Sequence, residues 1–174
     1  MTAMDETSRR TLDQALGEDF VADLGSLDIE ELRRRRSLAE QEENLLSYER
    51  RLLQGRRDLL AFEMERRAGR EGRTLIEALP DILGGERRSG RPARQGVLAD
   101  PEMPDERRRR LDLILADDVI ARLGEVDDEQ LRKTVGDLEE AEREVSEQRH
   151  RLHGVIDALH AELAVRYRSG AELD

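Results

Sequence analysis

Apolar residues recur every seventh position along two stretches of this 174-residue chain. The first series is Leu32, Ala39, Leu46, Leu53 and Leu60; the second is Leu131, Leu138, Val145, Leu152 and Leu159. A seven-residue repeat held this long keeps one apolar seam on one side of a helix and requires a facing helix to cover it. No proline interrupts either stretch. Each is expected to run as a helix of ~40 residues, roughly 60 Å at 1.5 Å per residue, and a lone helix of that kind is not stable in water. The expected fold class is all-α: an antiparallel two-helix coiled-coil hairpin with short accessory helices, built from an internal duplication.

Beside each seam runs a stripe of polar residues. The first is Glu43, Ser47, Arg50, Gln54 and Asp58; the second is Glu142, Ser146, Arg149, His153 and Asp157, 99 positions later and with the same steps. At about 100° per residue the five side chains of a stripe span roughly 80° of one helix face. The same offset relates far more than the stripes. Met4 aligns with Met103, Leu12-Asp13 with Leu111-Asp112, Leu24-Gly25 with Leu123-Gly124, and Leu53, Gly55, Asp58 and Leu60 with Leu152, Gly154, Asp157 and Leu159. Residues 4–67 and 103–166 therefore read as two copies of one unit.

Each unit starts with a short amphipathic piece, Leu12 to Leu24 or Leu111 to Leu123, closed by Gly25 or Gly124. The long helix then starts at Asp28 with Glu31, or at Asp127 with Gln130, where a short acceptor caps the first N–H groups and the residue three later reaches back. The expected organisation is a short N-terminal helical segment over 1–26, long helix 1 over 27–68, a linker with a short helix over 69–126, long helix 2 over 127–168, and a tail over 169–174. The Gly- and Arg-rich run from Gly84 to Pro92 reads as the flexible part of the linker. Antiparallel pairing about a pseudo-twofold axis near Arg50 and Arg149 brings the two stripes face to face. A second apolar column, Leu38, Leu45, Leu52 and Leu59 with Tyr48 and Phe62 nearby, faces away from the stripe. It either packs against the short N-terminal helices or offers a docking surface to a larger protein, with Leu45, Tyr48, Leu52 and Leu59 as the candidate partner contacts.

Composition narrows the chemistry. Aromatic residues make up 2% and charged residues 41%, which suits long exposed helices rather than a compact α/β enzyme. Cysteine is absent, and His150, His153 and His160 form no H-E-x-x-H pattern, so no metal site is expected. A net charge of −11 opposes direct DNA binding, which depends on neutralising phosphates. The arginine runs Arg33 to Arg36 and Arg107 to Arg110 read as solvated helix faces. No apolar run reaches the roughly 20 residues of a membrane span, and the first residues lack a secretory apolar region. A cytoplasmic protein without membrane contact is expected.

The stripes are the candidate chemistry. An arginine can pair in bidentate fashion with the O6/N7 edge of guanine or stack on a base. A carboxylate suits the guanine N1–H and N2–H₂ donors, and serine can donate to a phosphate. Glu43 and Glu142 can hold the arginines in place. The alternative is helix-surface pairing in a structural coiled-coil adaptor with no nucleotide ligand. An enzyme is not expected, because the chain has no Gly-rich phosphate loop, metal cluster or nucleophile with a paired base.

The E-x₃-S-x₂-R-x₃-Q-x₃-D pattern on both helices, and the run Glu42 to Arg56 in particular, resembles the RsiG family of cyclic-di-GMP-responsive anti-sigma factors. The resemblance implies a helical hairpin that binds cyclic di-GMP, as a stacked pair of two molecules, between its helices. It further implies that the loaded hairpin sequesters a WhiG-type sigma factor from RNA polymerase and so controls transcription. The second copy departs from the pattern at one position, with His153 in place of Gln. Neutral imidazole can still donate one hydrogen bond and accept another.

Overall fold

A computed structural model describes residues 5–84, 108 and 119–170 of the chain. Among the described residues four helices carry the fold: α1 (Asp5–Leu16), α2 (Ile29–Arg67), α3 (Leu75–Gly84) and α4 (Asp128–Arg168). Two single 3₁₀ turns, Glu18–Phe20 and Leu24–Ser26, join α1 to α2. No strand occurs among the described residues, and the architecture is all-α.

α2 has 39 residues and α4 has 41, and they pack against each other as an antiparallel hairpin. Cross-helix pairs give the direction. Arg33 at the start of α2 donates to the Tyr167 hydroxyl at 3.0 Å, Glu40 meets His160 at 3.3 Å, Gln54 donates to Glu142, and Arg67 at the end of α2 meets Asp128 at 2.8 Å. The seven-residue series forms the seam: all ten of its members are at most 2% exposed. Full burial of ten aliphatic side chains is the main stabilising contribution, at about 1.5–3 kcal/mol for a Leu or Val.

The seam is a single file, with polar columns along both edges. On one edge Glu42, Glu49 and Glu63 are themselves buried. A buried carboxylate is costly without partners; Glu42 accepts from Thr11 of α1 at 2.8 Å, and Glu63 accepts from Arg66 and Arg67 at 2.7 and 2.8 Å. α1 packs on both long helices, and Ala15, Phe20, Val119 and Val126 belong to the same core. The polar stripes occupy the other edge.

Both long helices start as the sequence indicates. Asp28 accepts from the Glu31 amide at 2.7 Å and Asp127 from the Gln130 amide at 2.8 Å. Glu31 turns its carboxylate onto Arg34 and Arg35. Both helices also end alike. Arg67 donates to the carbonyls of Leu123 and Val126, at 2.5 and 2.8 Å, in the turn that leads into α4. Arg166, its counterpart 99 positions on, donates to the carbonyls of Gly25 and Leu24, at 2.5 and 3.5 Å, in the turn that leads into α2. Glu63 steadies Arg67, and Glu162, again 99 positions on, steadies Arg166 at 2.7 Å. Each repeat thus clamps the beginning of the other.

Three features refine the sequence reading. The first amphipathic piece is not one helix to Leu24: α1 stops at Leu16, where Gly17 turns to extended backbone (φ −69°, ψ 144°), and Asp23 adopts a left-handed conformation (φ 50°). α3 lies within the 69–126 segment expected to hold a short helix. Its start is a reciprocal cap, with the Thr74 amide donating to Glu77 at 2.7 Å and the Glu77 amide donating to the Thr74 hydroxyl at 3.4 Å. The second apolar column divides. Leu38 joins the main core, whereas Leu45 forms a separate small cluster with Tyr48 and Leu52. The run from Gly84 to Pro92, read as the flexible part of the linker, lies after Gly84 outside the described residues, as does the short piece Leu111 to Leu123 up to residue 118; residues 119–125 form turns.

Candidate functional site

The antiparallel register brings the stripes together in two clusters. In the first, Ser47 donates to Glu43 at 2.8 Å. Arg149 crosses from α4, its Nε donating to the Glu43 carboxylate and meeting the Ser47 hydroxyl, both at 2.8 Å. His153 Nε2 lies 3.0 Å from the same carboxylate. In the second cluster, Gln54 donates across the hairpin to Glu142. The two clusters are pseudo-twofold mates, since Gln54 and His153 are equivalent positions, as are Glu142 and Glu43. His153 thus makes in one half the contact that Gln54 makes in the other.

Arg50 and Ser146 are half-buried on the same faces, and Asp157 is exposed on α4. Leu45 of the second apolar column is buried, while Tyr48, Leu52 and Leu59 are half-buried. Among the described residues no group of three or more His, Cys, Asp or Glu is arranged to hold a metal, and no helix is long and apolar enough to cross a membrane.

Burial opposes ionisation of Glu43. Hydrogen bonds from His153, Ser47 and Arg149 outweigh it, and the carboxyl titrates below its ordinary value. Glu43 is therefore an anion at neutral pH, held by donors from both helices.

One member of the network is outside the two stripes. Arg57 donates to Glu142 at 2.5 Å and to Asp58 at 2.7 Å. The adjacent Asp58 carboxylate raises its pKa further. A signal for it exists in the sequence: Arg57 follows Arg50 by seven residues and so shares its face. The equivalent position on α4 is Ile156, and symmetry between the copies therefore passes over it.

A chain with two such stripes facing each other across an antiparallel hairpin has the arrangement that the sequence motif implies. The family model described as RsiG-like matches residues 18–83 and 117–174. The chain belongs to the RsiG-like family. The match takes in α2, α4 and all but the last residue of α3, and contains both stripes. Membership of the RsiG-like family points to an anti-sigma-factor type of role. No curated protein matches the chain.

Proposed function

We propose that this RsiG-like hairpin binds cyclic di-GMP between α2 and α4 and that the loaded form holds a WhiG-type sigma factor away from RNA polymerase. It acts as a cytoplasmic binding protein rather than an enzyme. The observation that carries the reading is the meeting of the stripes, with Glu43 on Arg149 and Glu142 on Gln54. The donor set suits the ligand. Carboxylates accept from the guanine N1–H and N2–H₂ edge, arginines pair with O6/N7 or stack, and hydroxyls donate to phosphate. The mutual pairs of the stripes keep these groups aligned until the ligand exchanges for them.

The competing reading is a structural coiled-coil adaptor, and Ser47 is consistent with it, since its hydroxyl is already used between Glu43 and Arg149. Ser146 favours the nucleotide, since it repeats the hydroxyl at the same place in the stripe of α4.

Isothermal titration with cyclic di-GMP, with cyclic di-AMP and GTP as controls, tests the reading. We expect saturable, specific binding of two ligands per chain. The Arg50→Gln/Arg149→Gln variant should lose that binding and keep its helicity by circular dichroism. Unchanged affinity in the double variant would remove the site from the stripes.

A further inference from the structure

The two stripes together are net acidic. Their ten residues include four carboxylates (Glu43, Asp58, Glu142, Asp157) and only two arginines (Arg50, Arg149). Cyclic di-GMP carries two phosphodiester charges, and two stacked copies bring four into the same groove. Like charges in a partly buried site repel strongly, so the groove needs cations beyond the stripes to take such a ligand. The column of α2 that contains Glu43 and Arg50 continues to Arg57, whereas the matching column of α4 continues from Arg149 to Ile156. Arg57 is 29% exposed and already spans both helices, holding Glu142 and Asp58. Ile156 packs against the apolar core. Next to the stripe glutamate, Glu142 therefore has Arg57 where Glu43 has Ile156; the cation at the other end of the α2 column, Arg36, lies seven residues before Glu43 and pairs with Glu40 at 3.6 Å.

Building on the cyclic-di-GMP reading, we infer that Arg57 is a further ligand-binding residue, and that it makes the half-site at Glu142 the tighter of two unequal half-sites. When a guanine edge takes over Glu142 and Asp58, the guanidinium they held is released beside the incoming phosphates and neutralises them. The other half-site has His153 and Ile156 in the corresponding places, and the arginine beyond it on α2, Arg36, is held by Glu40 rather than by a stripe carboxylate.

Titration of the full chain with cyclic di-GMP decides the matter. The wild type should bind in two distinguishable steps. Arg57→Gln should weaken the tighter step about tenfold or more and leave the weaker one in place. It should also flatten the dependence of the tighter step on added salt, which a residue serving only to hold the helices together would not do. Arg57→Lys, which keeps the charge and loses the planar fork, should fall between the two. Circular dichroism melts run alongside should show each variant folded. Two equal steps in the wild type, or equal or tighter binding by Arg57→Gln, would overturn the inference, the latter marking Arg57 as a plug that competes with the ligand for Glu142. Both results leave the cyclic-di-GMP reading standing. Absence of any binding by the wild type would overturn that reading and this inference with it.

Discussion

Glu43 accepts from Ser47, Arg149 and His153 at once, and its carboxyl titrates below its ordinary value. A carboxyl depressed in the folded state gives a contribution to stability that is fully present above the unfolded value of about 4.3. That contribution is lost as the pH falls through the lower folded value. Glu43→Gln should therefore cost about 1 kcal/mol at pH 7, the scale of charge-assisted bonds discounted for partial exposure. Urea melts of both proteins at pH 7, 4 and 3 check this: the gap between them should close toward acid, and a constant gap would mean that the carboxylate charge contributes nothing. At this scale the sequence is informative where the interaction is local. Asp28 and Asp127 cap their helices because a cap needs only the next three residues. Arg57 is hidden because its partner Glu142 is distant in sequence and its own repeat mate is Ile156.

Among the elements, the seam was the most legible part. A strict seven-residue recurrence leaves one face to bury, and every seam residue is in the core. The acidic column Glu42, Glu49 and Glu63 was not legible, because glutamates on a charged helix look solvated until α1 and the second helix are placed over them. α3 begins at the reciprocal cap of Thr74 and Glu77, a local signal that lies outside the two repeat units and that the repeat alignment therefore does not reveal. Neighbouring leucines on α2 allow a sharp contrast. Leu53 is fully buried, and Leu53→Ala should cost about 2–5 kcal/mol in a denaturant melt. Leu52, in the separate cluster with Tyr48 and Leu45, should behave differently. Leu52→Asp is expected to weaken capture of a WhiG-type sigma factor in a pull-down while leaving cyclic-di-GMP titration within a few-fold. Parallel loss of both activities, with reduced helicity, would make Leu52 a core residue.

On the scale of the whole molecule, duplication gives the hairpin its near-symmetry, and the departures from symmetry are where its two sides differ in chemistry. The terminal arginines are the strictest expression of the repeat. Arg67 holds the turn before α4 and Arg166 the turn before α2, each supported by a glutamate four residues earlier. These bonds run between repeats, as does the seam. The register of the hairpin is therefore written in contacts between the two copies. Covalent continuity should then be replaceable by concentration. Residues 1–100 and 101–174, produced as separate polypeptides, should be unfolded apart and should assemble one-to-one into a helical complex when mixed, measurable by circular dichroism and light scattering. With Arg67→Ala in one fragment and Arg166→Ala in the other, the two should associate less tightly. A protein organised in this way behaves as an obligate pair whose members share one chain.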